Sequence, residues 1–170
     1  MLLNEIFEKA PAIEVSNLAV DSRMPMTNGM FFCIKGLKND GHLYVDQAIK
    51  NGARVIIYQD DIDTSGQAVY IRVDDVTKVL NQVVRKFYHD PSNKLTMYGV
   101  TGTNGKTTIC TMIEQLLGDN CGYMGTNGIK SKSFNDKIRN TTPDADRLYK
   151  YFKKFTDDGC TILSMETSSE

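Results

Sequence analysis

A glycine-rich turn set between a strand and a helix constrains this 170-residue chain more than any other feature. The run Thr101-Gly102-Thr103-Asn104-Gly105-Lys106-Thr107-Thr108 follows the apolar residues Leu95, Met97, Tyr98 and Val100. It precedes Ile109, Met112, Ile113, Leu116 and Leu117, which recur at helical spacing. Strand, turn, helix is the frame a phosphate-binding loop needs. Glycines let backbone N–H groups close on phosphate oxygens, and the helix N-terminus adds its partial positive charge. In that frame Lys106 bridges the outer phosphates of ATP and the Thr107 hydroxyl holds Mg²⁺. The strict pattern has glycine at position 100, where Val100 stands, with Gly99 one place early, so this loop is a variant. The plain alternative is a surface turn that happens to precede a lysine.

The periodicity on either side of the loop predicts an α/β chain in two parts. Before it, Leu2, Leu3, Ile6 and Phe7 suggest a short amphipathic helix. Strands are expected at 31–34, 54–58 and 69–73, with a short helix over 45–51 closed by Gly52. Asp74 or Asp75 caps a helix whose apolar face is Val76, Val79, Leu80, Val83, Val84 and Phe87. Phe31, Ile34, Val55, Ile57, Val79, Val83 and Phe87 are the expected core of residues 1–90. His89-Asp90-Pro91-Ser92-Asn93 reads as a linker. The second part, 94–170, opens with the loop-bearing strand. Residues 122–133 read as a loop-dominated stretch or a hairpin around Thr126-Asn127-Gly128. A helix then opens at Asp144 and ends near Gly159, followed by a buried strand over 161–165. The expected fold is a small mixed α/β amino-terminal domain followed by a truncated P-loop domain with a parallel sheet.

Composition removes several classes of function. A net charge of −1 gives no electrostatic case for nucleic acid or a membrane surface. No apolar run approaches the roughly twenty residues of a membrane span. The start, MLLNEIFEKA, is acidic and lacks a basic n-region, so it does not read as a signal peptide. Cys33, Cys110, Cys121 and Cys160 are irregularly spaced and accompanied by only two histidines, so neither zinc nor disulfides are expected. The cytoplasm is the expected compartment.

The variant loop GVTGTNGKTT resembles the ATP-binding loop of the Mur ligase superfamily, which includes the folylpolyglutamate synthetases. Asp21-Ser22-Arg23, then Gly29 and Phe31, Lys35-Gly36 and Asp40-Gly41-His42, resemble the amino-terminal domain of its UDP-N-acetylmuramoyl-tripeptide synthetase branch, MurE. Asn140-Thr141-Thr142-Pro143-Asp144 and Met165-Glu166-Thr167-Ser168-Ser169 resemble segments of the same branch. The likeness runs over essentially the whole chain. It departs at Glu170, where many of that branch have histidine.

The resemblance implies an ATP-dependent amide ligase that phosphorylates the terminal carboxylate of UDP-MurNAc-L-Ala-D-Glu. L-lysine or meso-diaminopimelate would then attack the acyl phosphate. It implies ATP contacts from Gly102, Thr103, Asn104, Gly105, Lys106, Thr107 and Thr108, with Lys106 catalytic and Thr107 and Glu166 as metal ligands. It implies UDP-muramoyl contacts from Val20, Ser22, Asn140, Thr141, Thr142 and Ser168, with the turn at 37–39 on the uracil side. His42 is expected to be structural. Local chemistry alone reads 140–142 as a helix-capping segment, Asp21-Ser22 as a turn, Glu166 as a strand end and Arg139 as a solvated side chain. Full-length members are longer, so the chain is expected to be a fragment, with the carbamylated lysine and the residues choosing the diamino acid lying beyond it. Two alternatives stand beside this reading: another Mur-type ligase, of the MurF or folylpolyglutamate kind, or a nucleotide and UDP-sugar binding module without catalysis.

Overall fold

The structure, a computed structural model, describes residues 1–36, 39–137 and 143–167. The chain divides into two compact units, Met1–Phe87 and Tyr88–Glu170.

The first unit is built on four parallel strands in sequential order: β1 (Asn17–Ala19), β2 (Gly29–Phe32), β3 (Ala53–Tyr58) and β4 (Val69–Arg72). Helix α1 (Val45–Lys50) joins β2 to β3, and α2 (Val76–Phe87) follows β4. A parallel sheet is covered on both faces, so its strands are apolar on both. Phe31 and Ile56 meet Val45 and Ala48 of α1 in one cluster. Their strand neighbours Met30, Phe32, Val55 and Ile57 alternate to the opposite face and are equally inaccessible. On α2, Val76, Leu80, Val83 and Val84 form the buried stripe, and the Asp75 carboxylate accepts the Lys78 N–H at 2.9 Å as the cap. Ile34, Val79 and Phe87, expected in the core, are only partly buried. The expected amino-terminal helix is a single 3-10 turn, Leu3–Glu5. Strand β1 was not legible in the sequence, because three residues are too few to show alternation.

The second unit begins before the anticipated boundary. Pro91–Lys94 form a 3-10 turn with Pro91 buried, within this unit rather than as a free linker. Its strands are β5 (Thr96–Val100), β6 (Cys121–Gly125), β7 (Gly128–Lys130), β8 (Asn135–Asp136) and β9 (Ile162–Glu166). Helix α3 (Lys106–Leu117) follows β5, and α4 (Ala145–Asp157) precedes β9. The strand order is β5-β9-β6-β7-β8. Strands β5, β9 and β6 are parallel, as expected, but β7 and β8 run antiparallel, so the sheet is mixed. The two-residue turn Thr126-Asn127 between Gly125 and Gly128 reverses the chain and produces the difference.

The sheet's two faces carry different tasks. Met124, Leu163 and Met165 pack with Phe152 and Phe155 of α4 in the core cluster. Tyr123, Ser164 and Glu166 are one residue out of phase and so lie on the other face, where the buried Ser164 hydroxyl donates to the Cys110 carbonyl of α3 at 3.1 Å. Strand β5 lies at the sheet edge, and Met97 and Tyr98 on it, with Ile109, Met112 and Leu116 on α3, are exposed.

Candidate nucleotide and metal site

The loop after β5 takes the conformations that its glycines permit. Gly102 has φ +136° and Gly105 has φ +81°, in the region that side-chain-bearing residues avoid. Gly105 is the N-cap of α3, and its carbonyl accepts the Ile109 N–H at 2.9 Å. Thr101, Thr103, Asn104 and Thr108 are exposed around it. The Lys106 ammonium donates to the Gly102 carbonyl at 2.6 Å, curling back over the loop it is expected to serve. This leaves a helix N-terminus, an exposed glycine-rich loop and one cation together, which is the arrangement that receives a polyphosphate.

Beside it stands Glu166 at the end of β9, which is fully buried rather than reaching solvent. Its Oε1 accepts the Tyr123 hydroxyl at 2.6 Å and the Thr126 N–H at 3.1 Å. Its Oε2 accepts the Thr126 hydroxyl at 3.0 Å. Thr107, at the start of α3, lies near enough to this carboxylate to favour its charged form. Burial alone would push the Glu166 carboxyl up. The hydrogen bonds from Tyr123 and Thr126, with the nearby Thr107 hydroxyl, outweigh it and hold the group below its ordinary value. Glu166 is therefore an anion at neutral pH. Tyr123 moves the other way: burial first, then the bond to Glu166, keep its phenol protonated and donating.

Space for this carboxylate comes from a missing side chain. A β-carbon on Gly125 would lie 2.3 Å from Glu166 Oε1 and 2.6 Å from the Tyr123 hydroxyl. The residues fit the expected magnesium. Thr107 and Glu166 offer hard oxygen donors on either side of the phosphate loop's base, as Mg²⁺ prefers.

The first unit places its expected residues at the carboxyl end of β1. Val20 follows the strand, and Ser22 is buried two residues on. The Ser22 hydroxyl donates to Gln47 Oε1 at 3.1 Å, and its carbonyl accepts from Asn51 Nδ2 at 2.6 Å. Asp21 and Arg23 pair at 2.8 Å. His42 has a structural task. Its Nδ1 meets Asp40 at 2.6 Å, and its Nε2 accepts the N–H groups of Gln59 and Asp60, each at 3.2 Å, just past β3.

The structure thus brings Lys106, Thr107 and Glu166 together in the second unit, with Val20 and Ser22 in the first. Asn140, Thr141, Thr142 and Ser168, with Leu37, Arg139 and Glu170, lie outside the described residues. Sequence reasoning missed Tyr123, Gly125 and Thr126. The signal was a tyrosine between two glycines in a strand otherwise free of polar groups, since a buried phenol needs a partner.

Comparison with known proteins gives the chain's relatives. Residues 14–88 match the family described as "Mur ligase family, catalytic domain", and residues 100–170 match "Mur ligase middle domain". The chain is 38% identical over 160 residues to the UDP-N-acetylmuramoyl-L-alanyl-D-glutamate–2,6-diaminopimelate ligase of Clostridioides difficile, covering 92% of this chain and 33% of the relative. It is 34% identical to the corresponding L-lysine ligase of Staphylococcus haemolyticus, covering 99% and 36%. A solved 2,6-diaminopimelate ligase of the same name superposes with a TM-score of 0.75 at 24% identity, over 99% of this chain and 36% of that one. MurF ligase from Thermotoga maritima superposes with a TM-score of 0.61 at 22% identity, over 90% and 32%. The two solved structures share the fold. The chain spans about a third of the length of the curated relatives it matches.

Proposed function

The chain belongs to the Mur ligase family, and we propose that it forms the nucleotide-sugar-binding and ATP-binding portion of a MurE-type ligase of peptidoglycan precursor synthesis. In this reading the reaction joins a diamino acid, of the kind named for its relatives, to UDP-MurNAc-L-Ala-D-Glu at the expense of ATP. The observation that carries it is the buried, ionised Glu166, paired in register with Val100 at the foot of the exposed loop that bears Lys106 and Thr107.

When bound, ATP would supply the phosphoryl group that activates a substrate carboxylate, and magnesium would neutralise charge on it. This chain's residues do the rest by position and charge. The N-terminus of α3 and the loop N–H groups receive phosphate oxygens. Lys106 exchanges the Gly102 carbonyl for the outer phosphates, trading a neutral acceptor for a charged one. Thr107 and Glu166 would hold the cation, whose charge would offset that of the phosphates. Charge that spreads over the transferring group then faces fixed opposite charge, which lowers the barrier without reorganisation. In the first unit, Val20 and Ser22 hold the uridine diphosphate. Phosphate oxygens only accept, so Ser22 turns its hydroxyl from Gln47 to meet them. Asn140, Thr141, Thr142 and Ser168 contact the muramoyl part.

Isothermal titration of the 170-residue chain with UDP-MurNAc-L-Ala-D-Glu, and separately with ATP and Mg²⁺, tests the reading. The expected result is a preference for the muramoyl dipeptide over UDP-N-acetylglucosamine, and ATP binding that is lost in Lys106→Ala. Equal affinity for both UDP-sugars would refute the substrate. ATP binding indifferent to Lys106 would refute the site.

A further inference from the structure

Three donors converge on Glu166: two come from the Thr126 turn and the third is the Tyr123 hydroxyl. Tyr123 is fully buried on β6, with Gly122 and Gly125 nearby on the same strand, and its hydroxyl reaches Glu166 Oε1 at 2.6 Å across the β6–β9 pairing. The same hydroxyl accepts the Asn127 N–H at 3.4 Å, which ties it to the turn that also supplies both Thr126 bonds. The ring is held from outside by Lys130, whose ammonium lies 5.1 Å from the ring centroid and is paired with Glu114 of α3 at 3.3 Å. A phenylalanine would fill the same space with no polar atom to satisfy. A buried phenol is retained here at the cost of needing a partner, and its partner is the carboxylate beside the phosphate loop.

We propose that Tyr123 is a positioning residue for the metal site: its hydroxyl fixes the Glu166 carboxylate in the orientation that turns an oxygen toward Thr107. The inference rests on the reading of Glu166 as a magnesium ligand. Glutamate has three side-chain torsions, and the last is soft. Thr126 binds from the turn, and Gly125 clears the space beneath. Tyr123 supplies the short bond from inside the strand, fixing the carboxylate plane against rotation. Partners behind a metal's direct ligands act in this way, and removing them commonly costs about 10–100-fold in metal affinity.

The test is Mn²⁺ titration of the 170-residue chain, followed by electron paramagnetic resonance of the free ion, with thermal unfolding of each variant alongside. Tyr123→Phe deletes only the hydroxyl. It should bind Mn²⁺ about tenfold more weakly than the wild type while remaining folded at the titration temperature. Glu166→Gln should lose more. Lys130→Met, which touches the Tyr123 ring but not the carboxylate, should bind as the wild type does. The chain has no tryptophan, so the tyrosine absorption band gives a second readout. A metal-induced difference spectrum present in the wild type should vanish in Tyr123→Phe. Wild-type Mn²⁺ affinity in Tyr123→Phe, with Glu166→Gln impaired, would overturn the positioning role and leave Glu166 as ligand. Unchanged affinity in Glu166→Gln, or no Mn²⁺ bound by the wild type, would overturn the metal reading and this inference with it. A loss in Tyr123→Phe that tracks its unfolded fraction would make the hydroxyl structural only, and overturn the proposal.

Discussion

Gly125→Ala is the sharpest perturbation this structure offers, because its cost is steric and falls on the functional carboxylate. Gly125 is not among the positive-φ glycines, so alanine meets no backbone strain there. Its β-carbon would lie 2.3 Å from Glu166 Oε1, 2.6 Å from Glu166 Cδ and 2.6 Å from the Tyr123 hydroxyl. Relief requires the carboxylate to move by about 1 Å, since non-bonded atoms settle at roughly 3.5 Å. Overpacking of this kind costs about 1–3 kcal/mol. The displaced carboxylate also gives up at least one charged hydrogen bond, worth about 1.5–3 kcal/mol. Alanine in a strand recovers about 0.5–1 kcal/mol of backbone entropy. The net loss is about 1.5–5.5 kcal/mol. In a unit of 60–100 residues each kcal/mol shifts the melting temperature by about 4–8 °C, so the transition should fall by at least about 6 °C.

Differential scanning calorimetry measures this, and Gly99→Ala provides the control. A β-carbon on Gly99 meets nothing nearer than Thr167 Cγ2 at 3.9 Å, so that variant keeps the backbone-entropy gain without a steric cost and should melt at or above the wild type. Gly125→Ala melting with Gly99→Ala would refute the reasoning, because it would mean that Glu166 does not lie over the β6 backbone.

Other expectations follow from single residues. Ser22→Ala should weaken UDP-sugar binding and leave ATP binding unchanged by calorimetry, because Ser22 lies in the first unit and the loop in the second; one charged hydrogen bond is worth about 1.5–3 kcal/mol. Lys106→Ala should abolish ATP binding yet leave the melting temperature within about 2 °C, because among the described residues its ammonium bonds only an exposed loop carbonyl. Asp146→Asn should raise the melting temperature at pH 7. Asp146 is buried, its Oδ1 has no hydrogen-bond partner among the described residues, and burial pushes its carboxyl up. A raised folded value means that stability is fully present below the ordinary carboxylate value of 3.8 and is lost as pH rises through the folded value. The gain from Asn should therefore disappear below about pH 3.8; a gain that persists there would assign it to something other than charge. The 170-residue chain should release no phosphate from ATP in a coupled assay with UDP-MurNAc-L-Ala-D-Glu and either diamino acid; turnover lost on Lys106→Ala would show that these two units suffice.

What the sequence made legible depended on the length of each signal. The loop, α3 and the stripe of α2 span enough residues for spacing to be unambiguous. Strand β9 showed through Ile162, Leu163 and Met165, a short apolar segment broken only by the small Ser164 before Glu166. Strand β6 did not: Cys121-Gly122-Tyr123-Met124-Gly125 has two glycines and one polar tip, and glycine is the residue least expected in a strand. Both glycines are there for room. A β-carbon on Gly122 would lie 2.4 Å from the Phe155 ring, and one on Gly125 would strike Glu166. A tertiary contact from residues far along the chain thus decided what local propensity could not. The same holds for Ser22, whose bond to Gln47 joins residues with no shared local motif.

The site's assembly follows from strand direction and register. Parallel strands end at the same edge of a sheet, so a loop leaving β5 and a carboxylate closing β9 are adjacent only because β9 pairs directly with β5, Val100 opposite Glu166. On the other side of β9, Tyr123 pairs with Ser164 and Met124 with Met165, which leaves Gly125 and the Thr126 turn beside Glu166. Side chains alternate along a strand, so Ser164 and Glu166 share the face of α3, while Leu163 and Met165 share that of α4. A slip of one residue in β9 would bury Glu166 against Phe152 and Phe155 and expose Met165 to Thr107. Two apolar side chains would leave the core and a carboxylate would enter it unpaired, at a cost of several kcal/mol in each direction. The packing of α4 against Leu163 and Met165 therefore selects the register that presents Glu166 to Thr107. Hydrophobic burial on one face of the sheet fixes the ligand geometry on the other.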